Sequence, residues 1–571
     1  MENIKNTVAG AIASAVGTAF PGAAVTADEI SALLEYPPDD AMGDIALPCF
    51  KLSKILRKPP AAIAASVAAS LSSPAISSVE AVNGYLNVKI HDAVYISAVG
   101  DALEKGDDYG KNDTGRGRTL VIDYSSPNVA KPFHIGHLGS TVIGHSIKML
   151  HAFSGWNCVG VNHLGDWGTQ FGKMITAYRL WGNPETVETE GIDGLVSLYV
   201  RFHKEAETDP SLNDRAREEF TKLEHGDEVN TALWKKFLEI SIAEFKKTYA
   251  QLGIVFDYYT GESFYTDLMP KQVALLREKG LLKTDDGASI VDLSEYGMPP
   301  CLILKRDGST LYPTRDIAAA VYRKETFDFD KCVYVTSNQQ ILHFRQWFKV
   351  MELMGYDWAD ELVHVPYGTL SVNGEKLSTR SGNVILLRDL FAVAIEKVGE
   401  IIEKKNPDLE NRDEVACAVG VGAVVFYYLT NSRIKDSDFN LEDALSFEGN
   451  TGPYVQYTYA RCCSVVEKAG GIPPCGDGAG YSAVPSERKL CKTLSLFGEK
   501  VTEALSSYEP MVIARYLLDV AGDFNRFYHE CRIATESDTA ARAFRVRLTG
   551  ATKVVLGNAM GLICMKKTPK I

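Results

Sequence analysis

With 571 residues, 46% of them apolar, the chain can bury several cores and has room for about four domains. It contains no apolar run long enough to span a bilayer. A formal charge of −13 excludes an indiscriminate nucleic-acid binder, yet a local basic surface remains open, since residues 541–571 hold seven Lys/Arg and no Asp or Glu.

The predicted elements begin with AGAIASAVGTAF (9–20), too rich in Ala and Gly for a signal-peptide core and better read as a small amphipathic helix. Ala-rich helical sequence follows around 54–71, then a strand-like segment, VEAVNGYLNVKI, at 79–90. Residues 1–105 thus form a small α+β module, and GDDYGKNDTGRGR (106–118) is a linker. Beyond it β-like runs alternate with helical ones, in TLVIDY, 138–153, CVGVNHLG and 169–181. That alternation predicts a parallel sheet with crossover helices. Residues 195–250 interrupt it with charged, helix-periodic sequence. Alternation resumes near 290–305 and 331–336 and closes around PYGTLSV (366–372). From about 388 the pattern is helical throughout, a bundle broken by the Gly/Pro loop at 470–486.

The eleven cysteines are scattered, with no C-x₂-C pair, and Cys462 and Cys463 are adjacent. Reduced, mostly buried thiols in the cytoplasm are expected, and no zinc site.

Within TLVIDYSSPNVAKPFHIGHLGSTVIGH (119–145) a hydrophobic strand enters a polar turn, and His134-Ile135-Gly136-His137 opens a helix. The helix start offers unpaired backbone N–H groups and a positive dipole end to phosphates. Gly136 allows close backbone approach, and the His134 and His137 imidazoles can donate hydrogen bonds to phosphate oxygens as charge develops on them. Two histidines at a helix start are also common as ordinary caps, so the tetrapeptide needs company.

That company is NGEKLSTRSGN (373–383), which falls just after the last strand of the α/β block, at the carboxyl edge where ligands collect. Flanking glycines let the loop move, and Lys376 and Arg380 can neutralise a departing pyrophosphate. The glycine pair in VGVGAVVFYYL (419–429) lies inside helical sequence, lacks a third glycine and follows no strand, so helix packing explains it.

The pairing of HIGH with this loop resembles the class I aminoacyl-tRNA synthetases. SSPNVAKPFHIGH, VNHLGDWGTQFGK, LYVRFHKEAE, LYPTRDIA, GNTGPYVQYTYAR and FNRFYHECRI narrow the likeness to the arginyl-tRNA synthetase family, from the first module to the last helix. The resemblance implies a Rossmann-like parallel-sheet catalytic domain (116–387) with a helical insertion, an α+β amino-terminal domain (1–105) meeting the tRNA elbow, and an all-α anticodon-binding bundle (388–571). It implies ATP- and Mg²⁺-dependent joining of L-arginine to the 2′-OH of the terminal adenosine of arginine tRNA. A monomer is expected, with no membrane partner.

By the same resemblance His134, Gly136, His137, Lys376 and Ser378 serve ATP. The loop reads Lys376-Leu377-Ser378-Thr379-Arg380, so its second lysine is absent, and Lys131, just before HIGH, stands in. A planar guanidinium with five donors calls for carboxylates. Asp316 in YPTRD and Asp123 at the end of the HIGH strand meet that need, although Asp316 could be a helix cap and Asp123 a strand acid paired with Arg118 or a lysine. Tyr312 is assigned to the arginine side chain, Asn128 and His163 to its α-amino or carboxylate end, and Gln340 (or its neighbour Gln339) to the guanidinium. For tRNA the candidates are Arg526, Tyr528 and Arg532, able to stack on splayed bases, with Arg545 and Arg547 in the basic tail. Rival readings are another HIGH enzyme, a catalytically silent tRNA-binding paralogue and a zinc protein built on His134, His137 and His145.

Overall fold

The computed structural model describes residues 4–372, 375–376, 385–474 and 481–571. Contacts divide the chain into two units, each assembled from separated segments: 1–110, 462–500 and 519–555 in one, and 111–461, 501–518 and 556–571 in the other.

The second unit is organised on a five-stranded parallel sheet. Its strands are β1 (Thr119–Asp123), β2 (Asn157–Asn162), β3 (Tyr258–Tyr259), β4 (Lys331–Ser337) and β5 (Leu362–Tyr367), in spatial order β5-β4-β1-β2-β3. Leu120, Val121 and Ile122 are completely buried in the central strand, the continuous apolar run that a sheet covered on both faces requires. The order of strands reverses between β1 and β4. The crevice beyond their carboxyl ends is therefore the topological switch point, the place where such folds bind ligands.

Helices that serve this crevice are α1 (Leu138–Phe153), α2 (Thr169–Trp181), α3 (Ile192–Thr208), α4 (Glu228–Leu252), α5 (Tyr312–Phe327) and α6 (Ile341–Leu353). The predicted helical insertion is present as α3, the helix Ser211–Glu224 and α4, with a short helix Pro184–Glu190 before them. α5 and α6 share a buried core with Val121, Cys332 and Tyr334 of the sheet, to which α6 contributes the fully buried Trp347. Burying such an aromatic contributes about 1.5–3 kcal/mol.

Two expectations need correction. The alternation near 290–305 does not belong to the parallel sheet. Leu282–Asp285, Ala288–Val291 and Cys301–Leu304 form their own antiparallel sheet. Asp286 (φ 47°) and Gly287 (φ 79°) close a two-residue hairpin, the Asp-Gly turn whose positive φ values suit the strand twist. PYGTLSV also divides. Its first residues finish β5, whereas Leu370–Val372 pairs in parallel with Ser437–Phe439, a strand inside the stretch expected to be helical throughout.

In the first unit the helix Ile4–Ala19 buries Val8, Ile12 and Val16 on one stripe, so the amphipathic reading holds. VEAVNGYLNVKI is two strands rather than one, with Ile76–Val82 and Tyr85–Ile90 joined by Asn83 and Gly84, both at positive φ. The helix Pro485–Ser495 joins this unit through Arg488, which donates to Asp44 (2.8 Å) and Asp92 (2.5 Å).

Candidate active site

The chain leaves β1 through a strained turn. Ser125, Ser126 and Ala130 all have positive φ (72°, 48° and 59°), a conformation non-glycine residues adopt at a cost. Buried hydrogen bonds hold it there. Ser125 N–H donates to Ser140 Oγ (2.9 Å), and Ser125 Oγ meets both Thr141 Oγ1 and Tyr249 OH at 2.8 Å. Asn162 Nδ2 donates to the same Tyr249 hydroxyl (2.9 Å), and Ser140 Oγ donates to the Val335 carbonyl (2.9 Å). The ends of β1, β2 and β4, helix α1 and insertion helix α4 are thereby linked behind the turn.

Pro132 and Phe133 then lead to the HIGH residues, where Ile135–His137 is a single 3₁₀ turn before α1. Gly136 N–H donates to His134 Nδ1 (3.1 Å), and His134 N–H donates to His137 Nδ1 (3.2 Å). A backbone N–H is always the donor, so both Nδ1 atoms must be acceptors and each neutral imidazole carries its proton on Nε2. Burial, aided by Lys131, lowers the His134 pKa to about 4. Burial lowers that of His137 to about 3, with His134 as the next contribution. At neutral pH the turn therefore presents two uncharged Nε2–H donors. The rings lie 3.9 Å apart, and Phe133 stacks on His137 at 5.0 Å. Glycine is needed at position 136, because a Cβ there would meet the His134 ring at 2.8 Å.

Chain from residue 385 onward returns to this turn. Ile135 N–H donates to the Ile385 carbonyl and Leu387 N–H to the Phe133 carbonyl, both at 3.0 Å. Lys376 belongs to the short strand Glu375–Lys376. Its side chain, like Ser378 and Arg380, lies outside the described residues. Lys131 is half-buried three residues before His134, and burial holds its ammonium below the usual lysine pKa.

The candidate arginine residues gather at the switch point. Asp316 is on the first turns of α5, one-quarter exposed, and accepts from His343 Nε2 of α6 (2.6 Å). Beside it Glu262 accepts from Arg315 Nη1 (2.8 Å), and burial raises the Glu262 pKa to about 7 despite that partner. Asp166 is buried and accepts from the Ser263 N–H (2.9 Å) and hydroxyl (2.6 Å). His163 stacks on Tyr265 at 5.5 Å and feels the charges of Asp123, Arg323, Asp316 and Asp166. Burial, the largest influence, keeps it below the ordinary histidine pKa. Four carboxylates thus face two guanidinium groups, an excess of negative potential suited to a cation.

Asp123 has a partner that was not anticipated. Arg323, 1% exposed, donates through Nη2 to Asp123 Oδ2 (2.7 Å), and Ser126 Oγ donates to Oδ1 (2.8 Å). Neither Arg118 nor a lysine takes this role; the Arg118 guanidinium sits over Trp156 instead, at 5.6 Å. Arg323 falls seven residues after Asp316, two helical turns on, so the α5 pattern held the signal. His343, three residues after Gln340, could be recognised only from its contact with Asp316.

Tyr312 is 64% exposed, with Arg315 over its ring at 5.7 Å, and Gln339 and Gln340 are both exposed just past β4. Asn128 is also exposed, and its amide occupies the space that a Cβ on Gly165 would fill. Arg526, Tyr528 and Arg532 lie at the surface. Arg545 and Arg547 do not, as they are 8% and 9% exposed on the buried helix Thr539–Gly561. Arg545 donates to Glu487 and Glu536, both at 2.6 Å, and to the Arg532 carbonyl (2.8 Å). Its charge is balanced internally, so the basic tail is not a phosphate-facing stripe at that residue.

Residues 98–441 match the family described as "tRNA synthetases class I (R), catalytic domain". The chain belongs to the arginyl-tRNA synthetase family. Its flanks match the "Arginyl tRNA synthetase N terminal domain" (2–90) and the "DALR anticodon binding domain" (455–570). Among curated relatives, the arginine–tRNA ligase of Alkaliphilus metalliredigens is 47% identical over 98% of this chain and 99% of its own. That of Clostridioides difficile is 49% identical over 94% and 95%. The solved Thermus thermophilus arginyl-tRNA synthetase superposes with a TM-score of 0.83 at 25% identity, covering 98% of this chain and 99% of that one. The Plasmodium falciparum arginyl-tRNA synthetase gives 0.82 at 25%, each chain covered fully. The HIGH turn and the acidic switch-point crevice both lie within the residues that match the catalytic-domain family.

Proposed function

We infer that the protein is an arginine–tRNA ligase. It activates L-arginine with ATP and passes the arginyl group to the 2′-OH of the terminal adenosine of arginine tRNA. One observation carries the specificity: the Asp316 carboxylate stands in an acidic crevice on the same sheet edge as a helix-opening pair of neutral Nε2–H donors.

In the first step a carboxylate oxygen of arginine attacks the α-phosphorus of ATP, the bond to the bridging oxygen breaks, and pyrophosphate leaves. His134 and His137 donate their Nε2–H to phosphate oxygens as charge grows there, with no proton transferred, and Lys131 adds a cation. Lys376 and Ser378 complete the phosphate contacts in this reading. In the second step the 2′-OH attacks the activated carbonyl carbon and AMP departs. The Asp316 carboxylate takes the guanidinium, assisted by Gln340 and Tyr312, and Asn128 and His163 face the α-amino and carboxylate end. Asp123, already charge-balanced, acts by holding Arg323 and Ser126 in place.

Mg²⁺ enters with ATP, screening its phosphates. Arg526, Tyr528 and Arg532 are the residues we assign to tRNA. The reading carries with it a monomer working in the cytoplasm; among the described residues no helix is long and apolar enough to cross a membrane.

The test is arginine-dependent ATP–pyrophosphate exchange, run with and without arginine tRNA. Exchange that requires both arginine and tRNA is expected. Absence of exchange both with and without tRNA, with tRNA binding intact, refutes the enzyme reading.

A further inference from the structure

Asp316 is the carboxylate given to the guanidinium, yet its orientation is set by a residue outside that set. His343 Nε2 lies 2.6 Å from Asp316 Oδ2, and no other hydrogen bond reaches this carboxylate among the described residues. An ionised carboxylate can only accept, so Nε2 carries the hydrogen and Oδ1 is left open. Tyr312 begins α5, and Gln340 immediately precedes α6. The contact therefore joins the two helix starts that carry Tyr312, Asp316 and Gln340.

The helices do not need this bond in order to pack. Ile317 and Val321 of α5 share one buried core with Phe344 and Trp347 of α6. Thr314 Oγ1 donates to the Ile303 carbonyl (2.7 Å), and Gln346 Nε2 donates to the carbonyls of Pro299 (2.8 Å) and Pro300 (3.1 Å). Both helices are thus anchored on the segment 299–303. Asp316 and His343 are each about one-quarter exposed, and a pair so open to water adds little stability. Its effect falls on side-chain freedom instead. The His343 ring is itself held edge-on to Phe344 at 5.5 Å, and Phe344 stacks on His364 at 4.2 Å.

We propose that His343 is a positioning residue for arginine recognition: by donating to Asp316 Oδ2 it aims Oδ1 at the guanidinium before arginine binds. The proposal rests on the ligase reading. An acceptor fixed in advance spares the entropy that binding would otherwise lose in ordering the Asp316 side chain.

His343→Leu removes the donor and keeps apolar bulk, whereas His343→Gln returns an amide N–H near the place of Nε2. Both are assayed in the full chain by pyrophosphate exchange with saturating tRNA, varying arginine and then ATP. His343→Leu should raise KM for arginine about 3- to 10-fold, the range expected for one side chain no longer ordered beforehand, with kcat and KM for ATP unchanged. His343→Gln should recover most of that loss. In an Asp316→Ala background His343→Leu should cost nothing further in kcat/KM for arginine, because its effect passes through the carboxylate. The urea unfolding midpoint should not move. An unchanged KM for arginine, equal losses for arginine and ATP, or a loss that persists in full without Asp316 overturns the positioning role. A loss that follows a lowered unfolding midpoint and is not rescued by Gln makes His343 a structural residue instead. A wild-type protein without arginine-dependent exchange refutes the ligase reading; normal exchange with an unaltered His343→Leu variant refutes only the role of His343.

Discussion

Asp316→Asn isolates the guanidinium contact. The substitution keeps the shape and leaves an amide that can still meet His343, now 2.6 Å from the carboxylate. What disappears is one negative charge in a crevice where Glu262 is already partly protonated near neutral pH. Hydrogen bonds to charged groups contribute about 1.5–3 kcal/mol, and because Asp316 is one-quarter exposed the buried-pair figure does not apply. A loss of about 2–3 kcal/mol corresponds to roughly 30- to 150-fold in kcat/KM for arginine. The assay is pyrophosphate exchange with saturating tRNA, varying arginine and then ATP. KM for arginine should absorb most of the loss while KM for ATP stays within about twofold. Selectivity for arginine over citrulline, its uncharged isostere, should collapse by the same factor. Parallel losses for arginine and ATP, or selectivity that survives, would refute the assignment of Asp316 to the guanidinium.

His137→Asn should lower kcat for activation by about 10²–10³, the usual consequence of removing a transition-state donor, with single-turnover chemistry as the readout. Stability should decline as pH falls below about 6.5. His134, His145, His151 and His364 have folded pKa values near 4 and His137 near 3, so the unfolded chain takes up protons there that the folded one does not. Glu262, raised to about 7, works the other way between pH 7 and its unfolded value, as do Asp166, Glu224 and Asp519, also raised by burial, but closer to the carboxylate range and against five histidines. Urea midpoints between pH 8 and 5 check this, and a flat profile would contradict it. Asp123→Asn leaves Arg323 buried without its counter-charge and should cost about 3–5 kcal/mol of folding stability, measured by denaturant unfolding. Arg545→Ala should destabilise by a similar amount, about 3–5 kcal/mol, by stranding the fully buried Glu487. Loss of tRNA affinity with unchanged stability would return Arg545 to the RNA surface.

Local chemistry was legible where short-range rules suffice. The strand–turn–helix around HIGH follows from apolar residues in Thr119–Asp123 and from a helix opening that backbone geometry makes a phosphate site. The Asn83-Gly84 hairpin carried an equally local signal, but it was read within one strand-like segment, and Asp286-Gly287 fell just before the run expected near 290–305. Partnerships across the fold were harder. Arg323 lies 200 residues from Asp123 and Glu487 58 residues from Arg545. A charged residue reads the same in sequence whether it faces water, a ligand or a buried counter-ion.

The sequence by itself determined the family, the α/β plan and the residue types at the site, because helix starts, turns and apolar periodicity act over a few residues. The structure decided which charges are already balanced within the fold. It pairs Asp123 with Arg323 and buries Arg545. It also turns both HIGH histidines into neutral Nε2–H donors, with their Nδ1 atoms on backbone N–H groups. Those outcomes depend on desolvation and on which chain segments fold against one another, and neither is a property of any single stretch of residues.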